Sequence, residues 1–182
     1  MAARAPTLRG DKRPGVTPAA PLPFDPVAEA RRNWQRHEWP HPEAMAAITS
    51  ITRAHQVLLA RIDAVLRPLE LTFARYEALV LLRFSSRGTL PLGVMGQRLQ
   101  VHPASVTNAI DRLEAAGLVR RRPHPDDRRA RLAEITDEGR RRVEEATHAL
   151  GEIRFGAQGL SDAAARRVTR ELTGLRRAAG DF

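Results

Sequence analysis

Residues 102–136, HPASVTNAIDRLEAAGLVRRRPHPDDRRARLAEIT, constrain the fold more than any other part of the chain. Proline opens an amphipathic segment, glycine closes it, and an arginine-loaded run broken by His-Pro-Asp-Asp follows directly. Pro103 suits the first helical position, where a missing N–H loses no hydrogen bond, and Gly117 suits the residue just past the end. At about 100° per residue, Val106, Ala109, Ile110 and Leu113 share one side of that helix and are expected in a core. The opposite side carries Ala104, Ser105, Thr107, Asn108, Asp111, Arg112 and Ala115. Leu118 to Arg122 and Arg131 to Ile135 then predict two short strands around a turn.

The flanking segments fit a helical protein around that unit. Leu92, Met95 and Leu99 predict a short helix over 91–99, joined by Gln100-Val101-His102 to the next, which is a helix-turn-helix spacing. Thr72 is placed to cap a helix whose apolar face holds Tyr76, Leu79, Val80 and Leu82, ending at Ser85-Ser86-Arg87-Gly88. Met45, Ile48, Thr52, His55, Leu59, Ile62 and Leu66 form a heptad-like seam from Glu43 to Arg67, ended by Pro68. Such a helix, about 25 residues and 37 Å long, exceeds what a small domain needs for its own core, so its stripe is expected to pack partly against another chain. Downstream, Thr136-Asp137-Glu138 opens a helix with Val143, Ala146, Leu150 and Ile153. Ser161 or Asp162 caps a last one with Ala165, Val168, Leu172 and Leu175. Residues 1–24, rich in proline, alanine and arginine, read as a disordered arm. Asp25-Pro26 starts an extra N-terminal helix, assigned to 25–39, that includes Trp34. The fold class is therefore mainly α with a small β-hairpin wing. Residues 72–136 are its winged helix-turn-helix lobe, and 43–68 with 137–182 its dimerisation helices.

Charge narrows the partners. Thirty Lys+Arg against 21 Asp+Glu give +9 at pH 7 and a pI near 11.4. That excess favours anionic partners such as nucleic acid or a membrane surface, although an arginine-heavy, alanine-rich composition also follows from a GC-rich genome. Cysteine is absent, which excludes disulfides, thiolate metal sites and a cysteine nucleophile. No apolar run approaches the roughly 20 residues of a membrane span. A soluble cytoplasmic protein without a cofactor and without a membrane partner is the expectation.

The polar side of the 103–116 helix has the chemistry of a major-groove reader. Small and amide-bearing side chains near a helix N-terminus allow close approach and hydrogen bonds to base edges, while the positive helix end lies near phosphates. Asn108 is the leading base-edge candidate, with Ser105 and Thr107 serving bases or phosphates. Any surface helix has a polar side, and a charged hairpin is often only solvated; the juxtaposition favours DNA. In the hairpin, Arg120, Arg121, Arg122, Arg128, Arg129 and Arg131 are offset only by Asp126 and Asp127. Arginine enters the narrow minor groove of A·T-rich DNA.

On VHPASVTNAIDRLEAAGLVRR, the following PDDRRARLAEITDEG and the spacing between them, the chain resembles the MarR family of bacterial transcription regulators over about residues 43–178. The resemblance implies that Asp127 orients Arg129 toward DNA, with Arg128 beside it, and that Pro103, Ala104, Ser105, Thr107, Asn108 and Arg112 form the recognition surface. It implies a homodimer with interleaved terminal helices on a pseudo-palindromic double-stranded operator, usually a repressor. It also implies a small organic-acid or aromatic effector. The Trp34 helix resembles the urate- and citrate-responsive branch, in which an acid on the second helix faces an arginine of the recognition helix. Glu77 and Arg112 hold those positions, with Trp34 and His55 as further ligand candidates. The structural readings weigh more: Trp34 as a packing anchor for the added helix, and His55 as a hydrogen-bonded core histidine of the seam.

Two other functions compete with this one. HEWPH, residues 37–41, matches the His-Glu-x-x-His string of zinc proteases, but Pro40 falls inside the helical turn that chemistry requires. An architectural protein coating DNA through arginine alone would bind any duplex equally, a role to which Ser105, Thr107 and Asn108 are ill-suited.

Overall fold

A computed structural model describes residues 21–125, 127 and 130–182. Most of the expected arm, and Asp126, Arg128 and Arg129 of the hairpin, lie outside the described residues. The chain divides into two compact units at Thr52.

The first unit holds helix α1 (Pro26–Arg36) and the start of α2 (Pro42–Leu66). Asp25 caps α1 by accepting from the Val27 N–H at 2.9 Å, with Pro26 at the first helical position, as its sequence indicates. Residues 37–41 form a turn in which Glu38 and His41 adopt left-handed backbone angles. The HEWPH string therefore lacks the helix that would align its two histidines.

In the second unit α2 runs on to Leu66 and a 3-10 turn (Arg67–Leu69). Helices α3 (Phe73–Phe84), α4 (Leu92–Leu99), α5 (Pro103–Ala115), α6 (Asp137–Glu152) and α7 (Asp162–Ala178) follow. Strands β1 (Thr89–Pro91), β2 (Val119–Pro123) and β3 (Arg131–Ile135) form an antiparallel sheet in the order β1-β3-β2. Val119 pairs with Ile135 and Pro123 with Arg131, which makes the expected hairpin. Strand β1 is an addition to the expectation. Three residues are too short to display alternation, and it forms because Gly88, at φ +65°, turns the chain so that its carbonyl accepts from the Ile135 N–H at 2.9 Å.

The core lies where α3, α5, α6 and the sheet meet. Leu79, Leu82, Met95, Ile110, Leu113 and Leu150 are all but fully buried, each stabilising by about 1.5–3 kcal/mol relative to an exposed position. One helix start is held differently from its sequence cue. Thr72 occupies the N-cap of α3, but its hydroxyl makes no cap bond; the carboxylate of Asp63 on α2 instead accepts from the Phe73 N–H at 2.9 Å. At α6 the cue works as expected, the Thr136 hydroxyl accepting from Gly139 N–H at 3.0 Å and donating to the Gly117 carbonyl at 2.8 Å. That pair fastens α6 to the end of α5.

The α2 seam is covered only toward its C-terminus, where Ile62 and Leu66 are buried. Ile48 is 52% exposed and His55 is exposed, so His55 is not a core histidine of this chain. Helix α7 buries no side chain, and Leu175 is 50% exposed.

Candidate nucleic-acid interface

Gln100 ends α4 in the left-handed conformation at φ +53°, and the Val101 N–H closes back on the Gly96 carbonyl at 3.2 Å. His102 is extended, as a residue before proline must be, and its Nδ1 caps α5 by accepting from the Ala104 N–H at 3.2 Å. The turn therefore delivers α5 with its first residues, Pro103, Ala104 and Ser105, exposed. Val106, Ile110 and Leu113 point inward, Ala109 is half-buried, and Thr107, Asn108, Asp111, Arg112 and Ala115 are exposed. The helical period alone separates the two faces.

The exposed polar groups differ in readiness. Among the described residues, the Asn108 amide, the Ser105 hydroxyl and the Arg112 guanidinium make no hydrogen bond or ion pair. The Thr107 hydroxyl donates to the Pro103 carbonyl at 3.1 Å, which leaves its oxygen lone pairs as acceptors. Asn108 and Ser105 face a surface cleft shared with Thr72 and Arg75 of α3.

The hairpin's arginines are compensated in a way that local counting misses. Glu134 on β3 takes both Arg120, at 3.2 Å, and Arg122. The hydrogen bond from Arg122 is the largest influence on the Glu134 carboxyl; burial opposes it, and the charges of Arg120 and Arg122 with the Arg120 hydrogen bond leave the group below its ordinary value. Arg121 points the other way, toward α5. It pairs with Asp111 and, at 2.7 Å, with Glu114, and its Nη2 also donates to the Thr107 carbonyl at 3.4 Å. Burial alone would lower the Arg121 pKa, but the bonds and charges of Asp111 and Glu114 outweigh it and raise it. Asp126 and Asp127 are thus not the hairpin's only counter-charges. Asp127 is exposed and shares a cleft with Arg131 and the start of α4, while Arg128 and Arg129 lie outside the described residues.

Within the second unit, no hydrogen bond or ion pair among the described residues joins His55, Glu77 and Arg112. Glu77 is half-buried in a narrow crevice between α3 and α5, against Ala74, Leu99, Ser105 and Ala109. Burial pushes its carboxyl above the ordinary 4.5. No ion pair links it to Arg112, which stands about one turn beyond Ala109 and points to solvent. Trp34 packs edge-on against Trp39, with ring centroids 4.6 Å apart, and donates its indole N–H to the Pro40 carbonyl at 3.0 Å. That contact closes the turn after α1. His55 is exposed on α2.

The arrangement can present hydrogen-bonding groups along one exposed helix face, with a basic hairpin fastened beside it. Arg121 was not singled out in sequence. The signal available was the pair of acids at 111 and 114, one turn apart on a helix that runs directly into an arginine run.

Residues 71–130 match the profile of the MarR family. Sco5413 of Streptomyces coelicolor, a MarR family transcriptional regulator of known structure, is 53% identical; the match covers 77% of this chain and 97% of that one, with a TM-score of 0.71. YhbI of Bacillus subtilis, an uncharacterized HTH-type transcriptional regulator, is 30% identical over 113 residues, 62% of this chain and 72% of its own length. Sco3205 of Streptomyces coelicolor, a MarR family transcriptional regulator in complex with DNA, is 22% identical, a likeness of fold alone. That match covers 77% of this chain and 89% of Sco3205, with a TM-score of 0.68.

Proposed function

The chain belongs to the MarR family of transcription regulators, and on that premise we propose that it is a homodimeric repressor that reads a specific double-stranded operator and is released by a small organic acid. The observation that carries this reading is the α5 surface. Ser105 and Asn108 are exposed with their polar groups unengaged, beside a hairpin bound to the same helix. Groups of this kind distinguish bases in the major groove, where Asn bidentate to adenine is worth about 1–3 kcal/mol of discrimination. Pro103, Ala104, Thr107 and Arg112 flank them, and Asp127, Arg128 and Arg129 of the hairpin extend the contact to the neighbouring groove.

Dimerisation is supported by apolar side chains left uncovered on helices of both termini, Ile48 on α2 and Val168 and Leu175 on α7. Two recognition helices related by a two-fold axis demand half-sites about one DNA turn apart. Among the described residues no helix is long and apolar enough to cross a membrane, and the regulator works in the bacterial cytoplasm.

The effector reading assigns the chain to the urate- and citrate-responsive branch, on the Trp34 helix ahead of α2 and on Glu77. A half-buried carboxyl with a raised pKa takes a proton more readily than an exposed one and then donates to an incoming carboxylate. Arg112, exposed about one turn beyond the crevice, adds positive charge to the approach along α5 without lining it. Occupation of the crevice would press on Ser105 and Ala109, and so on the reading helix itself.

The test is selection of duplexes from a random library by the purified protein, followed by titration of the winning duplex with urate, citrate and phenolic acids. A two-fold-symmetric motif released by one of these is the expected result. Recovery of unrelated sequences would mean an architectural protein that coats DNA through its arginines.

A further inference from the structure

Arg121 is a cation in a DNA-proximal hairpin that is directed away from solvent. Its side chain is 25% exposed, whereas those of its neighbours Arg120 and Arg122 are 57% and 53% exposed. Strand alternation explains the difference, since successive side chains point to opposite faces. Arg120 and Arg122 meet Glu134 and bind the two strands of the hairpin to each other. Arg121 meets α5. Its acceptors there, the Thr107 carbonyl and the side chains of Asp111 and Glu114, recur at intervals of four and three and so form one edge of the helix. The main chain is held as well, because the Arg121 N–H donates to Glu114 Oε1 at 2.9 Å while Nη1 donates to Oε2 at 2.7 Å.

We propose that Arg121 is a positioning residue for DNA recognition, fixing the angle between the wing and α5 so that both fit one duplex, and that it does not itself bind phosphate. The proposal rests on the DNA-reading function above. Two carboxylates surround one guanidinium, so this corner carries net negative charge and repels a phosphate rather than attracting one. The guanidinium fork bridges two acids and a carbonyl at once, which a lysine ammonium on its flexible stem does not reproduce. Asp111, although on the exposed face of α5, serves the same tether and is not a base contact.

The test compares wild type, Arg121→Gln, Arg121→Lys and the double variant Asp111→Asn/Glu114→Gln. Each is titrated with the selected operator and with random duplex across a salt series. Without the tether, operator affinity should fall about tenfold or more while random-duplex affinity stays within about twofold, and the salt slope on random duplex should not change, because Arg121 itself makes no phosphate contact. Hydroxyl-radical footprints should keep the protection over α5 and lose that of the wing. The double variant retains Arg121 and gains two net positive charges, yet should lose specificity as Arg121→Gln does. Arg121→Lys should not restore it.

If Arg121 contacts phosphate instead, Arg121→Gln lowers both affinities together and makes the slope shallower by about 0.9, and the double variant binds both duplexes more tightly. Either result overturns the proposal alone. A wild-type protein without preference for the operator overturns the DNA-reading premise as well. Should Arg121→Gln fail to fold, the double variant decides the matter.

Discussion

Gly139→Ala should destabilise the protein, although helix propensity predicts the reverse. Gly139 is the third residue of α6 and is buried. Replacing glycine by alanine inside a helix ordinarily gains about 1 kcal/mol. Here the added methyl would overlap the carbonyl oxygen of Leu118 and come within 2.8 Å of Ile135 Cγ1. The oxygen belongs to backbone, so no rotamer change relieves the overlap; α6 or the chain leaving α5 must move. The same oxygen accepts from the Thr136 N–H at 3.1 Å, and the Gly139 N–H completes the Thr136 cap at 3.0 Å, so movement strains those bonds too. Overpacking of about 1–3 kcal/mol and about 1 kcal/mol for a weakened hydrogen bond, less the propensity gain, leave a net loss of about 1–3 kcal/mol. For a chain of this size that lowers Tm by roughly 2–12 °C. Thermal and urea unfolding at fixed protein concentration measure it, since oligomerisation makes Tm concentration-dependent. A Gly139→Ala protein as stable as wild type, or more so, would refute the packing argument.

Burial raises the Glu77 pKa above 4.5, so between 4.5 and the raised value the folded state holds a proton that the unfolded chain has lost. Stability must fall as pH climbs through that window; Glu77→Gln should raise Tm at pH 7 and flatten the decline, and a profile parallel to wild type would exclude it. Glu134, with its lowered pKa, acts oppositely: its stabilisation is complete above 4.5 and is lost as pH falls through the lowered value, so Glu134→Gln should blunt acid unfolding. Asn108→Ala should leave stability within about 0.5 kcal/mol of wild type and reduce discrimination at one base position per half-site, read by binding to single-base operator variants. Leu175→Asp should shift the sedimentation profile from dimer toward monomer, because the change buries a charge in the proposed interface; an unchanged dimer would place the contact elsewhere.

The exposed polar face of α5 was legible in the sequence because it depends on local rules. Pro103 and Gly117 bound α5, the helical period sorts Val106, Ile110 and Leu113 from Ser105 and Asn108, and Thr136 caps α6 by a bond three residues away. The misses all depend on partners distant in sequence. Asp63 supplants Thr72 as the cap of α3 from another helix. Glu134 reaches Arg120 and Arg122 only once β2 and β3 pair, and Arg121 finds Asp111 and Glu114 only because the Gly117 turn folds the strand back along α5. Strand β1 has no pattern of its own and exists through its pairing with β3. Glu77 and Arg112 occupy the anticipated elements, but the height of a side chain along a helix decides whether two charges meet, and Arg112 stands a turn too far along. His55 falls on an apolar stripe whose N-terminal half this chain leaves uncovered.

Competition binding at one salt concentration, with wild-type protein, the selected operator and a random duplex of equal length, tests most directly whether α5 reads bases. A preference of about 10³-fold or more for the operator is the predicted result. Equal affinity for the two duplexes would contradict it and leave the hairpin's arginines as the whole basis of binding.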